Sequence, residues 1–188
     1  MIVSKIKESI SNLEALSQDQ EVLKNVELSA EVIISSLRAG NKVMICGNGG
    51  SAADAQHVAG EFLCRFYKDR QPLPAIALTT DTSSITAIAN DYAYEEIFSR
   101  QVEALGKKGD VLLGISTSGT SKNVLRAFQK AHEVGVKTIL LSGKSVKTIA
   151  EHADILINAP SVDTPRVQEM HLVMEHIICE IVEKAFCS

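Results

Sequence analysis

The chain has 188 residues, enough for one domain with a substantial core, and its 45% apolar content is typical of a globular protein. A formal net charge of −4 without any Lys- or Arg-rich run argues against a nucleic-acid-binding face. The polar, amphipathic N-terminus lacks the apolar core of a signal peptide or a membrane span, and four cysteines without a CxxC pair indicate free thiols. We therefore expect a cytoplasmic protein with neither a nucleic-acid nor a membrane partner.

The first 40 residues predict two amphipathic helices. Apolar side chains recur every three or four positions, first from Val3 to Leu16 and then from Val22 to Leu37. Gly40 is suited to end the second helix, because glycine is favoured just beyond a helix C-terminus. The apolar stripes need cover, and two sources stay open at this point: a partner subunit or the chain's own sheet.

From Lys42 onward, short apolar runs alternate with helical stretches. The predicted strands are 42–46, 74–78, 111–116, 137–142 and 154–159, and the predicted helices are 52–67, 83–104 with a break near Asn90 and Asp91, 121–134, 145–152 and 164–186. Continuously apolar strands between helices indicate a parallel sheet covered on both faces. We expect one α/β domain over 1–188, a three-layer αβα sandwich with a five-stranded parallel sheet, in which the helical pair 1–40 precedes a core at 41–188.

The carboxyl ends of the predicted strands carry glycine and small hydroxyl residues. These segments are 47–51, 79–84, 116–121, 142–145 and 159–165. Ligands of open parallel sheets bind at this edge. The composition of the edge therefore predicts a pocket for a phosphorylated, polyhydroxylated small molecule.

The segment 114–121, GISTSGTS, is close to the spelling of a nucleotide phosphate loop. Thr120 stands where the lysine of that motif belongs, so a nucleoside triphosphate site is not predicted. What remains is a set of hydroxyls at the start of a helix: Ser116, Thr117, Ser118 and Ser121. This arrangement favours a phosphate monoester held by hydroxyls and free N–H groups, and the alternative is an ordinary capped turn.

The turn GNGGS at 47–51 joins the first predicted strand to the next helix. It is not the GxGxxG of dinucleotide-binding folds, which disfavours that class. Its glycines would let the backbone approach a ligand closely, while Asn48 and Ser51 would supply polar contacts.

His57 and Glu61 lie four positions apart on the helix that follows, so they share one face. Such a pair can bind a divalent metal or divide acid and base work, and the alternative is a plain surface pair. Gln168 and His176 of the last helix would complete an N,O donor set that suits zinc. Residues eight apart are about 12 Å apart along a helix. A stretched Gln168 side chain, an irregular helix or a second subunit would each solve this, and the three stay open.

Four segments together resemble the sugar isomerase (SIS) family, and within it the bacterial phosphoheptose isomerases. They are CGNGGSAADAQH, TAIANDYAYEEIFSRQVEALG, GDVLLGISTSGTSKNVL and RVQEMH. The resemblance implies the flavodoxin-like SIS fold, one Zn²⁺ per subunit and a homotetramer with interfacial active sites. It also implies isomerisation of sedoheptulose 7-phosphate to D-glycero-D-manno-heptose 7-phosphate through an ene-diol. That reaction is the first step towards the nucleotide-activated heptoses of surface polysaccharide.

The same resemblance implies the roles of individual residues. The implied metal ligands are His57, Glu61, Gln168 and His176. The implied substrate-binding residues are Asn48, Gly49, Gly50, Ser51, Glu61, Arg65, Asn90, Asp91, Ser116, Thr117, Ser118, Ser121 and Gln168. Glu61 is expected to be the catalytic base, and His176 its partner acid and base.

Other members of the SIS family offer alternative functions. A non-catalytic relative that associates with a DNA-replication initiator lacks the counterparts of Glu61 and His176, so their presence here favours an enzyme. Arabinose 5-phosphate isomerases and sugar-phosphate-sensing regulators usually carry further domains. A 6-phospho-hexulose isomerase is disfavoured by the His–Glu and Gln–His pairs.

Overall fold

The sheet of the computed structural model, which describes residues 1–145 and 148–187, has five strands. They are β1 (Val43–Gly47), β2 (Ala75–Ala77), β3 (Val111–Ser116), β4 (Lys137–Ser142) and β5 (Ile155–Asn158). All pairings are parallel, in the order β2-β1-β3-β4-β5. This is the flavodoxin-like order, in which the first crossovers reverse direction beside β1 and β3.

The described residues form seven α-helices, most of which pack on the two faces of the sheet. They are α1 (Ile2–Gln18), α2 (Gln20–Arg38), α3 (Gly50–Leu63), α4 (Thr82–Asp91), α5 (Ser99–Leu105), α6 (Lys122–Val134) and α7 (Thr164–Phe186), with short 3-10 turns at Tyr94–Glu96 and Ala150–His152. Within the described residues, none of the helices has the length and apolarity needed to cross a bilayer.

Two apolar clusters on opposite faces of the sheet confirm the predicted three-layer sandwich. One cluster joins the sheet to α2, α3 and α7, and the other joins it to α5 and α6. Neighbouring strand residues alternate between them, since Leu113 belongs to the first cluster and Leu112 to the second. Every residue of β1 and β3 is buried, which explains why these strands read as continuous apolar runs.

The predicted helix 52–67 is corrected at both ends, because α3 spans Gly50–Leu63. The backbone N–H groups of Phe66, Tyr67 and Lys68 donate to the carboxylate of Glu183 on α7 instead of continuing the helix. Of the predicted helix 145–152, the described part contains a 3-10 turn at Ala150–His152, and residues 146 and 147 lie outside the described residues.

The predicted break near Asn90 and Asp91 is confirmed, since α4 ends at Asp91. The last helix has the predicted bounds. Its apolar pattern predicts a buried stripe of Val167, Met170, Val173, Met174, Ile177, Ile181 and Val182, and the observed stripe differs. Val173 and Ile177 are exposed, at 37% and 39%, while Ile178 is buried with Met174. The helix packs on α1, α2 and α3. Leu172, Val173 and Ile177 on its remaining face stay exposed in a single chain. On α1, the predicted apolar side chains Val3, Ile6 and Ile10 are likewise exposed.

Candidate active site

The GNGGS turn brings the start of α3 against α7. Gly49 adopts a φ of 58°, a left-handed conformation that glycine tolerates best, and it immediately precedes the helix. A Cβ on Gly50 would collide with the side-chain amide of Gln168, so the missing side chain is what lets Gln168 approach. Ser51 is buried against Gly47, and a Cβ on Gly47 would collide with the backbone carbonyl oxygen of Ser51.

His57, Glu61 and His176 come together about two turns further along α3. His57 Nε2 lies 2.8 Å from His176 Nε2, so the N–H of one imidazole donates a hydrogen bond to the other ring. Glu61 Oε1 lies 3.6 Å from His57 Nε2, and its side chain is 21% exposed and reachable from solvent. The ring of Phe66 packs on His176 with centroids 5.6 Å apart. These groups can exchange protons with a bound molecule.

The donor types of this cluster suit zinc, whereas the spacing of its donor atoms does not. Two imidazoles and a carboxylate are donors that zinc prefers. Ligand atoms about 2.0–2.1 Å from a tetrahedral ion lie about 3.3 Å apart, so the two nitrogens sit slightly too close, at hydrogen-bond distance. Across residues 1–145 and 148–187, no group of three or more His, Cys, Asp or Glu side chains is spaced to hold a metal ion. Gln168 lies at Gly50, two turns of α3 before His57.

Two carboxyl groups between α3 and α7 were not foreseen from the sequence. Glu175 is 1% exposed, and both of its oxygens lack a hydrogen-bond partner among the described residues. Burial, followed by repulsion from Asp54, raises the pKa of Glu175 to about 8. Burial also raises the pKa of Asp54, while the neighbouring His57 opposes that rise. The next polar residue along the buried stripe is His171, whose pKa burial lowers to about 4.

The predicted phosphate loop follows β3 and opens α6. Ser121 occupies the N-cap position of α6 but makes no side-chain cap hydrogen bond. Its Oγ instead lies 2.9 Å from Ser116 Oγ, and Ser118 Oγ lies 2.9 Å from Thr120 Oγ1. The hydroxyls thus line the loop rather than satisfy the helix, which favours the phosphate interpretation over a simple capped turn. Thr117 is half-buried between them.

Three of the predicted substrate residues stand apart from these groups. Arg65 is exposed in the bend after α3. Asn90 and Asp91 are exposed at the end of α4, where Asn90 Nδ2 donates to Asp91 Oδ1 over 2.8 Å. Among the described residues, no hydrogen bond or ion pair joins these three side chains to His57, Glu61 or His176.

Sequence reasoning also missed two residues that hold Asn48. Asn123 exchanges two amide hydrogen bonds with Asn48, and the Tyr94 hydroxyl donates to it. Asn123 lies two positions after Ser121, so its place in the first turn of α6 was a usable signal. Tyr94 carried no signal, because only the fold brings the 3-10 turn beside β1.

A single chain encloses little space at this edge. A hollow of about 110 Å³ lies beside Asn48 and Tyr94. Larger hollows, of about 580 and 610 Å³, lie beside the segment 68–74 and beside α4 and α5, and neither is lined by His57, Glu61 or His176. The chemistry-bearing groups therefore sit on an open surface rather than inside the larger cavities.

Comparison with known proteins gives consistent matches. Residues 6–143 match the SIS domain family. The chain is 51% identical over 183 residues to the phosphoheptose isomerase of Clostridium acetobutylicum, a match that covers 97% of this chain and 93% of that protein. The solved structure of a phosphoheptose isomerase from Neisseria gonorrhoeae superposes with a TM-score of 0.90 at 41% identity, over 97% of both chains. That of Francisella tularensis gives a TM-score of 0.93 at 38% identity, over 97% of this chain and 96% of that one.

Proposed function

The chain belongs to the SIS domain family and, within it, to the phosphoheptose isomerases, and on that premise we propose how its residues isomerise sedoheptulose 7-phosphate. The product is D-glycero-D-manno-heptose 7-phosphate, the precursor of nucleotide-activated heptoses for surface polysaccharide. The observation that carries the proposal is the contact of His57 with His176, with Glu61 beside them. All three side chains lie on the solvent-accessible side of the α3–α7 helix pair.

The reaction moves a proton between two neighbouring carbons, which requires a base at carbon and an acid at oxygen. Glu61 removes a proton from C1 of the ketose while His176 protonates the oxygen on C2, and an ene-diol results. Glu61 then returns the proton to C2, and His176 takes the proton from the oxygen on C1. No atom is gained or lost, so the two side chains end in their starting states.

We propose that one Zn²⁺ per subunit binds at this cluster. His57, Glu61 and His176 would hold it, and Gln168 would become the fourth donor once its amide leaves Gly50. When bound, zinc supplies a positive charge that polarises the substrate oxygens. Binding the ion competes with proton transfer at Glu61 and at His176, because coordination lowers the basicity of a carboxylate and a metal-bound imidazole nitrogen carries no proton.

The phosphate group of the substrate is assigned to the loop 116–121. The Ser121 side chain caps no N–H group of the first turn of α6, which supports an anion at that position. Replacing Ser118 by Ala should raise the KM, since an anchoring contact would be lost in the ground and transition states alike. Asn48, Gly49, Gly50 and Ser51 would face the sugar.

We further propose a cytoplasmic homotetramer with active sites between subunits. All four cysteines are free thiols, as expected in a reducing compartment. Val173 and Ile177, which flank His176 on α7, are exposed apolar side chains, and so are Val3, Ile6 and Ile10 on α1. Cover by further subunits would bury these faces and enclose a site that one chain leaves open.

The test compares the wild type with Glu61→Gln and with Glu151→Gln, an exposed control in the 3-10 turn before β5. Each zinc-replete protein is incubated with sedoheptulose 7-phosphate, and the aldose is followed by NMR. Loss of a general base should lower kcat at least about 100-fold in Glu61→Gln, with the control unchanged. Zinc content is measured for each protein and for His57→Ala, which should lose the ion.

Two results would contradict the proposal in different ways. Wild-type turnover in Glu61→Gln would remove Glu61 from the chemistry. A folded, zinc-replete wild type without turnover would overturn the isomerase function and leave a binding or regulatory SIS protein.

A further inference from the structure

Asn48 is the polar residue of the GNGGS turn, and two other loops hold its side chain. Asn48 Nδ2 donates to Asn123 Oδ1 over 2.9 Å, and Asn123 Nδ2 donates back to Asn48 Oδ1 over 2.8 Å. The hydroxyl of Tyr94 donates to the same Asn48 oxygen over 2.9 Å. One amide therefore joins the β1–α3 turn, the 3-10 turn after α4 and the first turn of α6.

The backbone decides which way round both amides lie. The N–H of Val124 donates to Asn123 Oδ1 over 3.0 Å, so that atom must be the oxygen. Asn48 must then turn its nitrogen towards Asn123 Oδ1 and its oxygen towards the two donors. That oxygen has both of its acceptor positions used, and the nitrogen keeps a second N–H.

We infer that Asn123 and Tyr94 are positioning residues that make Asn48 offer an N–H donor, not an acceptor, to an oxygen of the sugar phosphate. The inference rests on the proposed function, which places the substrate at the GNGGS turn. An N–H donor at Asn48 selects a hydroxyl or phosphate oxygen of the ligand, because such an oxygen can accept a hydrogen bond.

Burial fixes Asn123, and surface ion pairs join the turn of Tyr94 to α6. Asn123 is 2% exposed, so its amide cannot exchange its partners for water cheaply. The turn that carries Tyr94 is tied to α6 by ion pairs from Lys122 to Glu95 and from Arg126 to Glu96. Because Asn123 and Ser121 share the first turn of α6, the network links the sugar-binding turn to the proposed phosphate loop.

The first test removes only the Tyr94 hydroxyl. Tyr94→Phe should raise the KM for sedoheptulose 7-phosphate about 2- to 10-fold, as expected for one neutral hydrogen bond. Tyr92→Phe is the matched control, since Tyr92 is similarly exposed. Its ring packs on Arg100, with the guanidinium carbon 3.9 Å from the ring centroid. A merely structural role for the hydroxyl would lower the Tm of Tyr94→Phe and leave the KM of the folded protein unchanged.

The second test asks whether the effect passes through Asn48. Tyr94→Phe and the uncharged Asn123→Ala, which removes the amide that faces Asn48, are each made in the wild type and in Asn48→Ala. Both should lower kcat/KM in the wild type and cause no further loss in Asn48→Ala. Equal losses in the two backgrounds, or a Tyr94→Phe variant with an unchanged KM, would overturn the inference.

Binding separates this inference from the proposed function. Calorimetry with sedoheptulose 7-phosphate gives a Kd for each variant without turnover. A wild type that binds the sugar phosphate but does not isomerise it would overturn the function alone, and the Tyr94 comparison would still decide the network. A wild type that neither binds nor isomerises would overturn both.

Discussion

Replacing Glu183 by Gln should loosen the segment that follows α3. Glu183 Oε1 accepts from the N–H of Phe66 over 2.7 Å, and Oε2 accepts from those of Tyr67 and Lys68 over 2.7 and 3.0 Å. Arg70 Nε lies 3.3 Å from Oε1, and the two side chains are only 2% and 3% exposed. The Arg70 guanidinium also donates to carbonyl groups at the end of α3, so the ion pair fixes that end to α7.

The size of the effect follows from these contacts. Desolvation alone would raise the pKa of Glu183, but the three N–H donors and the charge of Arg70 outweigh it and hold the pKa below 4.5. A glutamine has one acceptor oxygen, so its NH₂ must face at least one of the N–H donors, and Arg70 loses its counter-charge. We expect a loss of about 3 kcal/mol in the free energy of unfolding. For a chain of this size the Tm should fall by about 6–12 °C.

The assay is thermal unfolding followed by circular dichroism, at one protein concentration because assembly contributes to the Tm. Glu180→Gln is the control on the same helix, since Glu180 pairs with Lys184 in the open and should cost less than about 1 kcal/mol. A depressed folded pKa means that Glu183 stabilises fully above pH 4.5 and that its contribution disappears as the pH falls through that pKa. The difference in Tm between the wild type and Glu183→Gln should therefore become smaller at acid pH.

A Tm for Glu183→Gln no lower than that of Glu180→Gln would refute this reasoning. So would a gap that stays constant from neutral pH to well below 4.5, because the charge of Glu183 would then play no part.

Two further predictions concern buried groups. Glu175→Met should raise the Tm of the metal-free protein, since it removes a carboxyl whose oxygens have no partner among the described residues, and a lowered Tm would indicate a missing partner. Alkylation of the native protein should leave Cys46 and Cys179 unmodified, because burial raises the pKa of both thiols to about 12. Mass spectrometry should find both modified only after unfolding, and rapid labelling of either in the native state would contradict its burial.

The elements that the sequence predicts correctly have local causes. The apolar runs of β3 and β4 match the observed bounds because all or nearly all of their residues are buried. The start of α7 follows from Pro165, which suits the first turn of a helix. The end of α3 has no local cause, since the carboxylate that captures its continuation is Glu183, more than a hundred residues later. The helical pattern alone therefore predicted an end at residue 67, whereas α3 ends at Leu63.

The candidate site divides in the same way. The spacing of His57 and Glu61 predicted their shared face, and the structure places His176 of α7, which the sequence analysis grouped with them, against His57. The positioning of Asn48 depends on Asn123 and Tyr94, which lie in two separate loops. Neither contact follows from a pattern within one element, because each requires the order of the strands to bring the loops together.

The gap of eight residues between Gln168 and His176 acquires a structural meaning in the fold. Gln168 lies at Gly50, whereas His176 lies at His57, so the two positions on α7 match two positions seven residues apart on α3. Two helices matched in this order are parallel, so each side chain contacts the turn of the neighbouring helix at the same level. Within one chain, Gln168 therefore belongs with the sugar-binding GNGGS turn and His176 with the proton-transferring cluster. The substrate role predicted for Gln168 needs no movement of α7, and a role as zinc ligand requires its amide to leave Gly50.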